Sequence, residues 1–171
     1  MTLLSEQNPS AAENAIRNPH FGPSIDNIVD SLWDQSVVAY FSNPPMYTAA
    51  LLVGGVCAES AHRFYCEKKK VSQSLLKGKW EDLINYSISQ KLLPDPSIGR
   101  ILHLIRKDYR NPWVHIDLDK ITEKIPSTGL DKKLNAMIFS QKVALNCLWL
   151  TAAELSAFYG SKPPIMELSN L

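Results

Sequence analysis

The sequence predicts an all-α protein, a bundle of five or six helices joined by short links. Three observations carry that expectation. Apolar residues recur at three- and four-residue spacing over most of the chain, and no segment alternates as a strand would. Asn-Pro or Asp-Pro stands at 43–44, 95–96 and 111–112, the pattern of a capped helix start with proline in its first turn. Composition is that of a globular domain, with 45% hydrophobic and 20% charged residues in a chain of 171.

Residues 1–22 are polar, carry Pro9 and Pro19, and show little periodicity, so they are expected to form a flexible N-terminal arm. The helical domain is expected over 23–162, with a C-terminal tail over 163–171. The first helix should run from Ser24 to about Phe41, with Ile25, Ile28, Val29 and Leu32 on one stripe. Asn43-Pro44 ends it and opens a second helix from about Pro45 to Lys69, the most apolar stretch of the chain. Gly54-Gly55 inside that stretch costs roughly 1 kcal/mol per glycine in helix propensity, which suggests close approach of another backbone. Gln73–Lys79 reads as a loop and Trp80–Leu92 as a shorter helix. Asp95-Pro96 launches Ile98, Ile101, Leu102 and Ile105. Ile125–Gly129 reads as a turn, and a last long helix from about Leu130 to Tyr159 is stopped by Gly160.

Charge is nearly balanced at +1, but it is unevenly distributed. Residues 61–110 hold eleven Lys or Arg against five Asp or Glu, while residues 1–60 hold one against six. A basic third of this kind can draw a polyanion, although Lys68-Lys69-Lys70 read equally well as a solvated helix end. Cys57, Cys66 and Cys147 form no paired motif and are expected as reduced core thiols. Trp33, Trp80, Trp113 and Trp149 lie in apolar contexts and are expected in the core. No apolar run is long enough to cross a membrane and the N-terminus lacks a secretory pattern, so a cytoplasmic location is expected.

The stretch Arg106-Lys107-Asp108-Tyr109-Arg110-Asn111-Pro112-Trp113-Val114-His115 concentrates the chemistry. Proline removes an amide donor and crowds the carbonyl four residues back, so the incoming helix is expected to end near Arg110 and a new one to start at Asn111. In one continuous α-helix Arg110 and His115 would point roughly 140° apart. A break would let both face one groove. A guanidinium binds phosphate oxygens with paired donors, and an imidazole near its ordinary pKa serves as acid or base at neutral pH.

Arg110-Asn111-x-x-x-His115 resembles the signature of the HEPN superfamily (higher eukaryotes and prokaryotes nucleotide-binding domains), and the resemblance covers residues 24–160. It implies an all-α HEPN-like bundle and a metal-independent endoribonuclease in which the RNA 2′-hydroxyl attacks the adjacent phosphorus. Arg110, His115 and Asn111 would be catalytic, with no cofactor and no metal. His103, Arg106, Lys107 and Tyr109 would bind RNA beside them, and Glu59 would support Arg110. The family's two-motif cleft implies a homodimer. A role as toxin or defence effector, with an antitoxin as partner, comes from the resemblance alone.

Two other readings stand beside it. The same fold could bind RNA or nucleotide without cleaving it, acting with a separate nucleotidyltransferase. Or the bundle could be purely structural, with Arg110 and His115 pairing with Asp108, Asp117 or Asp119. For Glu59 the sequence leaves two partners open, Arg110 across the fold or Arg63 one turn along the same helix. His115, Asp117 and Asp119 could not converge on a metal from one helix.

Overall fold

The computed structural model describes residues 8–17, 19, 21–22, 24–114 and 132–160, with the backbone alone at 113–114 and 132–139. Those residues form an all-α bundle and contain no strand. The helices are α1 (Pro9–Arg17), α2 (Asn27–Phe41), α3 (Tyr47–Lys68), α4 (Gln73–Leu76), α5 (Trp80–Ser89) and α6 (Pro96–Leu104). A π-helical segment (Ile105–Arg110), α7 (Asn111–Val114) and α8 (Lys132–Tyr159) follow.

Helix α3 is the axis of the bundle, packed against α2, α8, the π segment, α4 and α5. Most of its buried residues are small, among them Ala50, Gly54, Cys57, Ala58 and Ala61, and they share one core with Ala144, Cys147, Leu148 and Ala152 of α8. Small side chains let two helix axes approach closely, so a long contact forms without bulky ridges. A methyl group added at Gly54 would lie 2.9 Å from Leu148 Cδ2, and one at Gly55 would lie 3.2 Å from Arg110 Cβ. The expected backbone approach at this glycine pair is therefore corrected: both glycines make room for side chains. All three cysteines are buried free thiols, as the sequence predicts. Burial pushes the Cys147 thiol up to about 12, which makes it inert. Trp33, Trp80 and Trp149 are likewise in the core.

The N-terminal region differs from the expected mobile arm. Pro9–Arg17 is a helix that buries Ala12 and Ile16, packs on α8, and holds Tyr40 through Glu13 at 2.9 Å. Its apolar positions are too few and too closely framed by prolines to stand out as a periodic signal. The expected loop at 73–79 contains the single turn α4. Asp95 caps α6 as predicted, its Oδ1 accepting from the Ser97 amide at 2.7 Å, and Gly160 ends α8 with φ of 68°. The helix expected from about Pro45 to Lys69 is α3, which starts two residues later at Tyr47, so Asn43-Pro44 precedes the helix start without capping it.

The largest departure is at Pro112. No break precedes it; Asn111 has helical angles of −60° and −44°, and its N–H donates to the Arg106 carbonyl five residues back. Asn111 is thus inside a helix and does not cap one. The wider π turn offers a physical reason, because it relieves the carbonyl that the proline ring would crowd in α geometry and needs no amide at Pro112. His115, Asp117 and Asp119 lie outside the described residues, as do the turn at Ile125–Gly129 and the tail over 163–171.

Candidate functional site

Gly55, Glu59 and Arg63 are spaced by four and form one line along α3. Opposite that line runs the π segment. The stem of Arg110 lies against Gly55, where a methyl group would meet its Cβ at 3.2 Å and its Cγ at 3.3 Å. The guanidinium then reaches Glu59, with Nη2 donating to Oε2 at 2.5 Å. The other oxygen of Glu59 accepts from Arg63, at 3.0 Å from Nε and 2.5 Å from Nη2. Both partners left open for Glu59 are therefore real, because a carboxylate has two oxygens and each takes one arginine. Arg63 also donates to the backbone carbonyls of Leu76 and Gly78, tying the α4–α5 connection to α3.

These residues help wall a cleft of about 350 Å³, completed by Lys79, Trp80, Glu81, Arg106, Asn111 and Gly78. Its charged side chains are four cations against Glu59 and Glu81, a local excess of two positive charges. Arg106 pairs with Glu81 at 2.7 Å. Arg110 Nη1 donates to Asn111 Oδ1 at 3.5 Å, and its Cζ lies 5.7 Å from the Trp80 ring, within range of a cation–π contact. An arginine held by a carboxylate, an amide and an aromatic face is preorganised.

The indole wall is fixed from behind. Trp80 Nε1 donates to His62 Nδ1 at 3.1 Å, so the His62 proton is on Nε2 and is donated to Ser87 Oγ at 3.0 Å. Ser87 donates to the Leu83 carbonyl at 2.8 Å, which leaves the Cys66 thiol as donor to Ser87 at 3.2 Å. Burial, reinforced by the Arg63 charge, pulls His62 down to about 3. It is a neutral structural histidine with no acid–base role near neutral pH.

Of the residues predicted for the site, Arg110, Asn111, Arg106 and Glu59 line the one cleft. Three others do not. His103 is partly buried outside the lining, its pKa lowered by burial and by Arg106; Lys107 is exposed, and Tyr109 packs half-buried against the core. His115 lies outside the described residues. Sequence reasoning missed Lys79, Glu81 and Trp80 as cleft walls, and no local pattern marks them, since only the fold brings residues 79–81 beside 106–111. No protein-family model, no curated protein and no solved structure matches the chain.

Proposed function

We propose that this cleft binds the phosphodiester backbone of RNA and that the protein is a metal-independent endoribonuclease acting through Arg110 and His115. The observation that carries the binding half is the convergence of Arg63, Lys79, Arg106 and Arg110 on one concave site against two carboxylates. Clustered guanidinium groups favour phosphate oxygens by charge and by paired donors. The cleaving half rests only on the resemblance of Arg110-Asn111-x-x-x-His115 to the HEPN signature, because the break expected before Pro112 to turn both side chains into one groove is absent.

In this reading Arg110 exchanges its Glu59 oxygen for a non-bridging phosphate oxygen and neutralises charge developing at phosphorus. The RNA 2′-oxygen loses its proton to a base and bonds to phosphorus, while the 5′-oxygen leaves and takes a proton. The products are a 2′,3′-cyclic phosphate and a 5′-hydroxyl. His115 serves in one of these proton transfers, and a second copy of the chain supplies the other group, so the active form is a homodimer.

A second reading has a specific observation in its favour. Both oxygens of Glu59 are taken by arginines, which suits a module that binds RNA or nucleotide and hands the chemistry to a partner protein. End-labelled RNA incubated in EDTA with wild type, Arg110→Ala and His115→Ala separates the two. Cyclic phosphate ends from wild type, lost in both variants, are expected of the nuclease. Retention of RNA without cleavage by any of the three would assign the binding role, and equal cleavage by His115→Ala would remove that histidine from the mechanism.

A further inference from the structure

A second concave surface, sharing no lining residue with the basic cleft, runs along α2. Asn27, Asp30, Asp34 and Val38 recur at three- and four-residue spacing and form one wall, and Met46 and Val53 close the other side. The groove encloses about 580 Å³. Two of its apolar side chains face water, Val38 67% and Met46 52% exposed. Its only charged lining residues are Asp30 and Asp34. Neither has an ion-pair partner among the described residues, whereas neighbouring Asp26 is paired with Lys68.

We infer that this groove docks a basic amphipathic helix from a partner protein. Like charges at i,i+4 on a helix repel, so Asp30 and Asp34 side by side are unfavourable in the free chain. Asp30 gains from the helix N-terminus, but Asp34 lies beyond the first turn and does not. A partner carrying Lys or Arg beside an apolar stripe covers Val38 and Met46 and neutralises both carboxylates at once. From residue 27 to residue 38 the wall is roughly 16 Å long, which matches about three turns of helix. A second copy docked about a two-fold axis on this groove would set Asp30 and Asp34 against their own images, so charge argues against self-association here. The contact is small enough to be transient. The inference is independent of the chemistry in the cleft.

Fluorescence anisotropy of the full chain with a labelled Leu/Lys amphipathic peptide of about 12 residues tests it. The same peptide with Glu in place of Lys is the control. Binding of the Lys peptide and at least about tenfold weaker binding of the Glu peptide are expected. Asp30→Lys/Asp34→Lys should reverse that preference, while Asp82→Lys on exposed α5 leaves it unchanged. Val38→Ser should weaken the Lys peptide several-fold. Reversal of preference keeps the test decisive, because a damaged fold would lose both peptides rather than exchange them. No binding by wild type, or Lys-peptide affinity unaltered in the charge-reversed chain, overturns the inference. So does a wild-type dimer in sedimentation that Val38→Ser dissolves, since the groove would then belong to a second copy.

Discussion

Helix α3 solves two packing problems with the same pair of residues. Gly54 makes room for Leu148 in a contact built mostly from apolar side chains, and Gly55 makes room for Arg110 in a contact built from charge. Each contact holds a glutamate. Glu154, fully buried on the α8 side, has no hydrogen-bond partner at either oxygen among the described residues, and burial raises its pKa far above the usual carboxylate range. Glu59, on the other side, meets two guanidinium groups. An apolar contact tolerates a carboxyl only as the neutral acid, whereas an ionic contact needs the carboxylate and fails if either arginine loses it.

The largest expected effect sharpens how far the ionic contact depends on the core behind it. Trp80 is 4% exposed, so Trp80→Ala should cost about 3–5 kcal/mol in urea unfolding, by lost burial and a cavity. Trp80→Phe keeps most of the bulk but leaves His62 Nδ1 without its donor, and a smaller loss of about 1–3 kcal/mol is expected. A Trp80→Phe chain as stable as wild type would show that the indole N–H contributes nothing.

Glu154 gives the next effect, and its sign follows from protonation. Its folded-state pKa stands above the unfolded carboxylate value near ~4.3, so the fold binds a proton that the unfolded chain releases. That stability is complete below about pH 4.3 and is lost as pH rises through the folded value. Glu154→Gln removes the titration, so its stability relative to wild type should grow by up to about 1.4 kcal/mol per pH unit between about pH 5 and 7. A difference that stays flat with pH would mean that Glu154 remains ionised, and the contrast with Glu59 would collapse.

Glu59→Ala is expected to cost about 2–3 kcal/mol at neutral pH, because two partly buried guanidinium groups lose their anion together. The double substitution with Arg110→Ala should cost less than the sum of the two single changes, by roughly 1 kcal/mol or more. Additivity would leave the 2.5 Å pair without energetic weight.

What could be read from the sequence divides along the same line. The core stripe of α8 was legible because apolar burial is periodic and needs no named partner, so Leu145, Leu148, Ala152 and Leu155 announce themselves, though not the helix they meet. Asp95-Pro96 and Gly160 were legible because caps are local. The ionic contact was legible in its members but not in its joining. Glu59 appeared to choose between Arg63 and Arg110, since spacing along a chain does not reveal that the two oxygens of one carboxylate face different helices. The 18-residue separation of Trp80 and His62 carries no periodic trace. At Pro112 the rule that proline ends a helix was outweighed by a wider turn, in which the missing amide and the crowded carbonyl no longer matter.

The smallest effect discriminates best between the two contacts. Alanine at either glycine gains about 1 kcal/mol of helix propensity, so the sign of each change depends on whether the facing side chain can yield. At Gly54 the new methyl would lie 2.9 Å from Leu148 Cδ2, the far end of a chain whose movement disturbs only apolar neighbours. At Gly55 it would press on Arg110 Cβ and Cγ, the root of a side chain whose tip is fixed at Glu59 and over Trp80. The root can move by a few tenths of an ångström only if the tip moves too. Gly54→Ala should therefore change stability by less than about 1 kcal/mol and leave RNA retention unchanged. Gly55→Ala should change stability as little but weaken RNA retention several-fold, by shifting the guanidinium from its seat. Loss of retention in Gly54→Ala as well would mean that the two glycines serve one contact, and that α3 does not separate an apolar face from an ionic one.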